Sequence, residues 1–185
     1  LNVRLLFAVG GDGTLRGAQK IHEEAQRRGL RIAVVGVPKT IDNDVPMISR
    51  TFGYDTAVDK ATLAIRSAHV EARGAPNGVG VVKLMGRHSG YIAASAALAC
   101  RDVNLVLVPE QRFELEGEAG VLAWLERRLD KRGHAVVVVA EGAGQDLLKR
   151  DGEQDASGNV KLQDIGPYVA GAIKSHFKTK GAEIN

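Results

Sequence analysis

The chain has 185 residues, room for one full core or two small ones, and its 44% hydrophobic and 25% charged residues have the balance of a globular protein. A net charge of +3 suits an anionic ligand but is too mild for a nucleic-acid partner, and aromatics at 4% provide no stacking platform for single strands. One cysteine excludes an internal disulfide and fits a reducing compartment, the cytoplasm.

Apolar runs of about six to eight residues alternate with helical periodicities, the pattern of β-α-β units on a parallel sheet. The chain opens on a strand-like run, Val3–Val9, and its first residues do not have the pattern of a signal peptide. A glycine corner follows, Gly10-Gly11-Asp12-Gly13-Thr14, then a helical stripe of Leu15, Ala18, Ile21 and Ala25 stopped by Gly29. A second strand spans Arg31–Val37 and leads into Pro38-Lys39-Thr40-Ile41-Asp42-Asn43-Asp44. A mild boundary near Thr51–Tyr54 predicts a first domain over residues 1–53 and a second over 54–185.

The second domain opens on a helix with Ala57, Val58, Ala61, Ala64, Ile65 and Ala68 on one side. Strands are predicted at Gly78–Leu84, Asn104–Val108 and His134–Ala140, and all five strand runs are apolar enough to be covered on both faces. Between them, Ser89–Cys100 is apolar almost all round and is expected to be the most buried helix. Cys100 reads there as a small core residue. A stripe of Val121, Leu122, Leu125 and Leu129 ends at Gly133, and Trp124 beside it reads as packing. Asp151–Asn159 reads as a surface loop. Ile165, Tyr168, Val169, Ala172, Ile173 and Phe177 form the last stripe, and Lys174, His176, Lys178 and Lys180 read as its solvated end. No run approaches the ~18 apolar residues of a membrane helix. The abrupt start at Leu1 and the end just after a helix predict a piece of a longer protein.

The chemistry concentrates in two segments. A glycine turn between strand and helix points backbone N–H groups at an anion beside the positive end of the helix dipole. Asp12 inside such a cradle would repel a phosphate unless a cation such as Mg²⁺ intervened; the alternative is a helix cap. Thr14 suits either a cap or a phosphate contact. If the second segment is extended, Thr40, Asp42 and Asp44 fall on one side, one acid free to take a proton and another to hold metal. The same Asp-Asn-Asp composition is also ordinary in turns.

Gly10-Gly11-Asp12-Gly13-Thr14, then Thr40-Ile41-Asp42-Asn43-Asp44, then Lys83-Leu84-Met85-Gly86-Arg87, resemble the 6-phosphofructokinases of plants, trypanosomatids and many bacteria. Phe52-Gly53-Tyr54-Asp55-Thr56-Ala57 and Ala140-Glu141-Gly142-Ala143-Gly144-Gln145-Asp146 add to the resemblance, which runs through essentially the whole chain. It implies an α/β, parallel-sheet, three-layer fold, incomplete at both ends, with part of the ATP-binding domain in residues 1–53 and part of the sugar-phosphate domain in 54–185. It implies phosphoryl transfer from ATP, with Mg²⁺, to the 1-hydroxyl of fructose 6-phosphate, in a homo-oligomer.

Carried over residue by residue, the resemblance makes Asp42 the base, with Lys39 and Arg87 facing the transferred charge. Thr40, Ile41, Asp42, Met85, Gly86, Arg87 and Glu141 would bind substrate, Gly11, Asp12, Gly13 and Thr14 the nucleotide, and Asp12 and Asp44 the metal. Met85 as core filler, Arg87 as a surface cation and Glu141 as a loop charge are the alternatives. His88 is not needed for acid–base work beside Asp42. In the family, glycine at position 13 leaves room for the nucleotide's α-phosphate, whereas Lys39 resembles the pyrophosphate users; the bulkless position 13 favours ATP. A pyrophosphate enzyme and an inactive binding subunit are the rival functions. The family's early glycine loop would precede Leu1, its later sugar-phosphate arginine and histidine would follow Asn185, and an arginine reaching a neighbouring subunit aligns near Gly78.

Overall fold

The computed structural model describes residues 2–148 and 160–185. Strands β1 (Leu5–Gly10), β2 (Ala33–Thr40), β3 (Phe52–Gly53), β4 (Gly78–Leu84), β5 (Leu105–Leu107) and β6 (His134–Ala140) alternate with helices. These are α1 (Asp12–Arg27), α2 (Tyr54–Gly74), α3 (Tyr91–Cys100), α4 (Val121–Arg132) and α5 (Ile165–Thr179). All strand pairs are parallel, in one sheet ordered β1-β2-β3 and another ordered β4-β6-β5. The expected α/β class is therefore present. The chain divides into two compact units, Leu1–Thr56 and Ala57–Asn185. The predicted loop Asp151–Asn159 lies outside the described residues.

In the first unit, α1 packs on β1 and β2 through Ala18 and Ala25, and Leu15 closes on Gly36. Gly29 ends α1 in the left-handed conformation, φ 64°, where a Cβ would be strained. The expectation that both strands are covered on both faces fails here. Leu5, Phe7 and Val9 alternate with better-buried residues, and Phe7 and Val9 are each 58% exposed; Val35 of β2 is exposed too. A continuous apolar run carries no mark of which face is covered, and within this unit α1 covers one. β3, too short to show periodicity, went unpredicted.

In the second unit β6 is the central strand, and Ala135 to Ala140 are fully shut from solvent. α3 and α4 pack on it and α5 on β4. Val121, Leu122, Leu125 and Leu129 are all buried, as the stripe predicts, and Gly133 caps α4. Ile165, Val169, Ile173 and Phe177 bury the inner side of α5, whereas Tyr168 is exposed. α3 departs from its expectation. Only Ile92, Ala93 and Ala96 are buried, and Leu98 is 80% exposed, because a short helix against a sheet covers one side whatever its composition. Cys100 is half-buried, its thiol 3.5 Å from Asp102 Oδ2, rather than a core residue. Lys174, Lys178 and Lys180 are exposed, as a solvated end requires, whereas His176 is half-buried and pairs with Glu126, which Lys180 also reaches.

Candidate active site

Strand register brings the two chemical segments of the first unit together. Gly10 ends β1 opposite Pro38 of β2, so both chains leave the sheet at the same edge, the carboxyl end of its parallel strands. Open α/β sheets place ligands at that edge. Gly11 is the contact: a Cβ there would lie 3.7 Å from the Lys39 carbonyl oxygen and 3.7 Å from Thr40 Cβ. Gly10 admits no side chain, because its Cβ would meet Thr14 Oγ1 at 2.2 Å. A Cβ on Gly13 would meet no other described residue within 4 Å beyond its own helix turn. Gly10 and Gly11 therefore close the turn, while Gly13 leaves space beside the helix.

Gly11 is the residue that caps α1, and no side chain caps it, so neither Asp12 nor Thr14 fills that role. The first-turn N–H groups stay available for an anion, assisted by the dipole. Asp12 instead lies under Arg16, one turn on, which donates from Nε to Oδ1 at 3.0 Å and reaches Oδ2 at 2.9 Å. Both side chains are largely exposed, so the pair is weak and readily exchanged for a stronger cation.

The second segment is not extended. Asn43 has φ 54°, which breaks the alternation expected for Thr40, Asp42 and Asp44. Asp42 is half-buried with its N–H donating to Thr40 Oγ1 at 3.3 Å, and Asp44 is exposed. Lys39 is exposed at the end of β2, while Thr40 and Ile41 are half-buried. Asn43 itself is buried, a residue the sequence reading passed over.

Among the described residues no group of three or more His, Cys, Asp or Glu side chains converges on a metal position. Asp12 and Asp44 offer the carboxylate oxygens that Mg²⁺ takes, an ion that keeps several waters and is often held by one or two carboxylates together with substrate phosphates. Their exposure leaves both acids open to such sharing.

In the second unit the same edge logic gathers the other predicted residues. Leu84 and Ala140 are register partners, so the turns after β4 and β6 leave side by side. Glu141 N–H donates to Leu84 O at 2.9 Å and Gly142 N–H to Gly86 O at 3.0 Å. Gly86 has φ 135°, and a Cβ on Gly142 would sit 1.9 Å from Arg87 O. Contact this close brings Met85, Gly86, Arg87 and Glu141 to one place. Met85 is exposed, so it is not core filler, and Glu141 is half-buried. Arg87, half-buried, donates to the Val160 carbonyl, which rules out a free surface cation. His88 is exposed.

Several residues to which the sequence assigned no role brace this turn. Gln145 Nε2 donates to Glu141 O at 2.8 Å and to Gln163 O at 3.0 Å, and Gln163 N–H returns to Gln145 Oε1 at 3.1 Å. Lys83 Nζ lies 2.7 Å from Asp164 Oδ1. The Lys83 ammonium, with a small addition from Gly166 N–H, holds the Asp164 carboxyl below the usual carboxylate range. Trp124 is half-buried and lines an open cavity of about 630 Å³ with Phe113, Leu105 and Val108, so it is only partly given over to packing. No described helix is long and apolar enough to cross a membrane.

The phosphofructokinase family model matches residues 1–183. ATP-dependent 6-phosphofructokinase 7 of Arabidopsis thaliana is 54% identical over 186 residues, covering 99% of this chain and 38% of its own length. ATP-dependent 6-phosphofructokinase of Trypanosoma cruzi is 54% identical over 178 residues, 96% of this chain and 36% of that protein. The chain thus spans under two fifths of these relatives. A crystal structure of pyrophosphate-dependent phosphofructokinase from Marinobacter aquaeolei superposes with a TM-score of 0.71, covering 99% of this chain and 43% of that one at 24% identity. That likeness speaks to the fold alone.

Proposed function

The chain belongs to the phosphofructokinase family, and on that premise we propose that the protein carrying it transfers a phosphoryl group from ATP to the 1-hydroxyl of fructose 6-phosphate. The observation that carries the reading is the meeting of the Gly10–Thr14 turn with the Lys39–Asp44 segment at Gly11, beside an uncapped helix N-terminus. It sets anion-holding N–H groups next to carboxylates, which is what phosphoryl transfer to a hydroxyl requires.

Asp42 takes the proton of the attacking 1-hydroxyl. Gly11, Gly13 and Thr14 hold donor phosphates through the first turn of α1, and Thr40 and Ile41 line the path of the transferred group. Lys39 and Arg87 balance its charge, while Met85, Gly86 and Glu141 hold the sugar phosphate. Asp12 and Asp44 would hold Mg²⁺, which would supply positive charge against the donor phosphates. Catalysis here is mainly positioning and electrostatic stabilisation. The reading includes a homo-oligomer and, given the single cysteine, a reducing cytoplasmic setting.

The empty surroundings of Gly13 support ATP, since the nucleotide needs room there that a larger residue would fill. The names of the plant and trypanosome relatives support the same donor. Lys39 favours a second reading, pyrophosphate as donor, because an added cation helps a small, highly charged leaving group. Retention of Asp12, Asp42 and Asp44 speaks against an inactive binding subunit. Initial rates of the full-length protein with each donor decide: turnover with ATP is expected, and turnover with pyrophosphate alone would overturn it.

A further inference from the structure

We infer that Asn43 and Thr51 form a buried clasp that positions Asp42 and Asp44 for the proposed transfer, an inference that rests on that functional reading. The clasp closes residues 41–51, whose ends are already tied because Lys39 and Thr40 of β2 pair with Phe52 and Gly53 of β3. Inside this loop Asn43 is 9% exposed and Thr51 3%, the most enclosed polar side chains of the first unit.

Their hydrogen bonds account for the burial. Asn43 Oδ1 accepts the Thr51 backbone N–H at 2.8 Å, and Asn43 Nδ2 donates to Ser49 O at 3.3 Å. The Thr51 hydroxyl donates to Thr40 O at 2.8 Å and lies 3.3 Å from Asn43 Oδ1, so its one proton can serve either acceptor. Thr40, Asn43, Ser49 and Thr51 are thereby locked together. Such a group of buried polar atoms is stable only while every partner is in place.

Asn43 is covalently the link between the two acids. With its side chain drawn inward and its backbone at φ 54°, the chain reverses there, leaving Asp42 half-buried and Asp44 in solvent. Asparagine tolerates this left-handed conformation better than most residues. The separation of duties between a proton acceptor and a metal-facing carboxylate is then set by two side chains turned into the loop rather than out of it. Because a shift of about 1 Å at a reacting group can cost on the order of 10²-fold in rate, a loosened clasp shows first in turnover.

The test uses the full-length protein with Thr51→Val, Thr51→Ser and Asn43→Gly. Glycine accepts the positive φ, so the last variant removes the side chain without adding backbone strain. For Thr51→Val and Asn43→Gly, kcat is expected to drop about tenfold or more while both KM values stay within about threefold; Thr51→Ser, which keeps the hydroxyl, stays within about threefold of wild type. Hydrogen exchange in the unliganded protein should quicken across residues 41–45 in the first two variants and remain unchanged in β6. The clasp is overturned if kcat holds in Thr51→Val, if Thr51→Ser falls as far as Thr51→Val, if the loss appears in KM alone, or if exchange across 41–45 is unaltered. Should Asn43→Gly fail to fold, the Thr51 pair decides alone. Should the wild-type protein transfer no phosphate, the functional reading fails by itself, and unaltered exchange in Thr51→Val still overturns the clasp.

Discussion

Gly11 sits against Thr40, with room for a Cβ only at ordinary contact distance, 3.7 Å from Thr40 Cβ. That approach sets the helix N-terminus beside the start of the acidic loop.

Gly13→Asp is the sharpest test of the donor. Nothing lies within 4 Å of a Cβ at Gly13, so the fold should accept aspartate without a change in melting temperature beyond a few degrees. Added bulk and negative charge should lower kcat/KM for ATP by about 10²-fold or more, and for pyrophosphate much less. Equal losses with both donors would remove Gly13 from the donor site. The readout is initial rate against donor concentration in the full-length protein.

Asp42→Ser removes the proposed base while keeping a small polar side chain. Turnover should fall by about 10²–10⁴ with little change in either KM. A kcat within a few-fold of wild type would assign the proton to another acceptor.

Gly142→Ala probes the turn in the second unit. Its Cβ would fall 1.9 Å from the Arg87 carbonyl oxygen, which is backbone and cannot swing away. The turn must shift, so a stability loss of about 1–3 kcal/mol and a raised KM for fructose 6-phosphate are expected. Urea unfolding and steady-state kinetics read the two effects separately.

Asp164→Asn tests the Lys83 brace through pH. The Asp164 carboxyl is held below its ordinary value, principally by the Lys83 hydrogen bond. A carboxyl depressed in the folded state adds stability above its unfolded value and loses it as pH falls through the native one. Wild type should therefore exceed Asp164→Asn slightly near pH 6, and the two should converge below about pH 4. The effect is modest because both side chains are substantially exposed. Urea midpoints at several pH values check it, and a gap that widens in acid would contradict it.

How much of this was legible in sequence varies by element. β4 and β6 begin and end where the apolar runs do, because each run is bounded by turn residues, and β6 is buried from Ala135 to Ala140. Met85, Gly86, Arg87 and Glu141 could be named from motifs, but their convergence depends on the Leu84–Ala140 register, which no local pattern encodes. Lys83 and Asp164 lie 81 positions apart and carry no sign of pairing. The Asn43–Thr51 clasp hid for a different reason: a buried polar pair within a turn-rich stretch has the same composition as a solvated turn. The uncovered side of β1 was invisible because apolar residues look alike whether or not something lies over them.

That uneven coverage has a thermal consequence. Valines in the middle of β6 surrender dry surroundings when they come apart, whereas Phe7 and Val9 already touch water and have less to lose. Warming this 185-residue segment alone should melt the Leu1–Thr56 unit first and the remainder later, giving two calorimetric peaks in place of one cooperative transition.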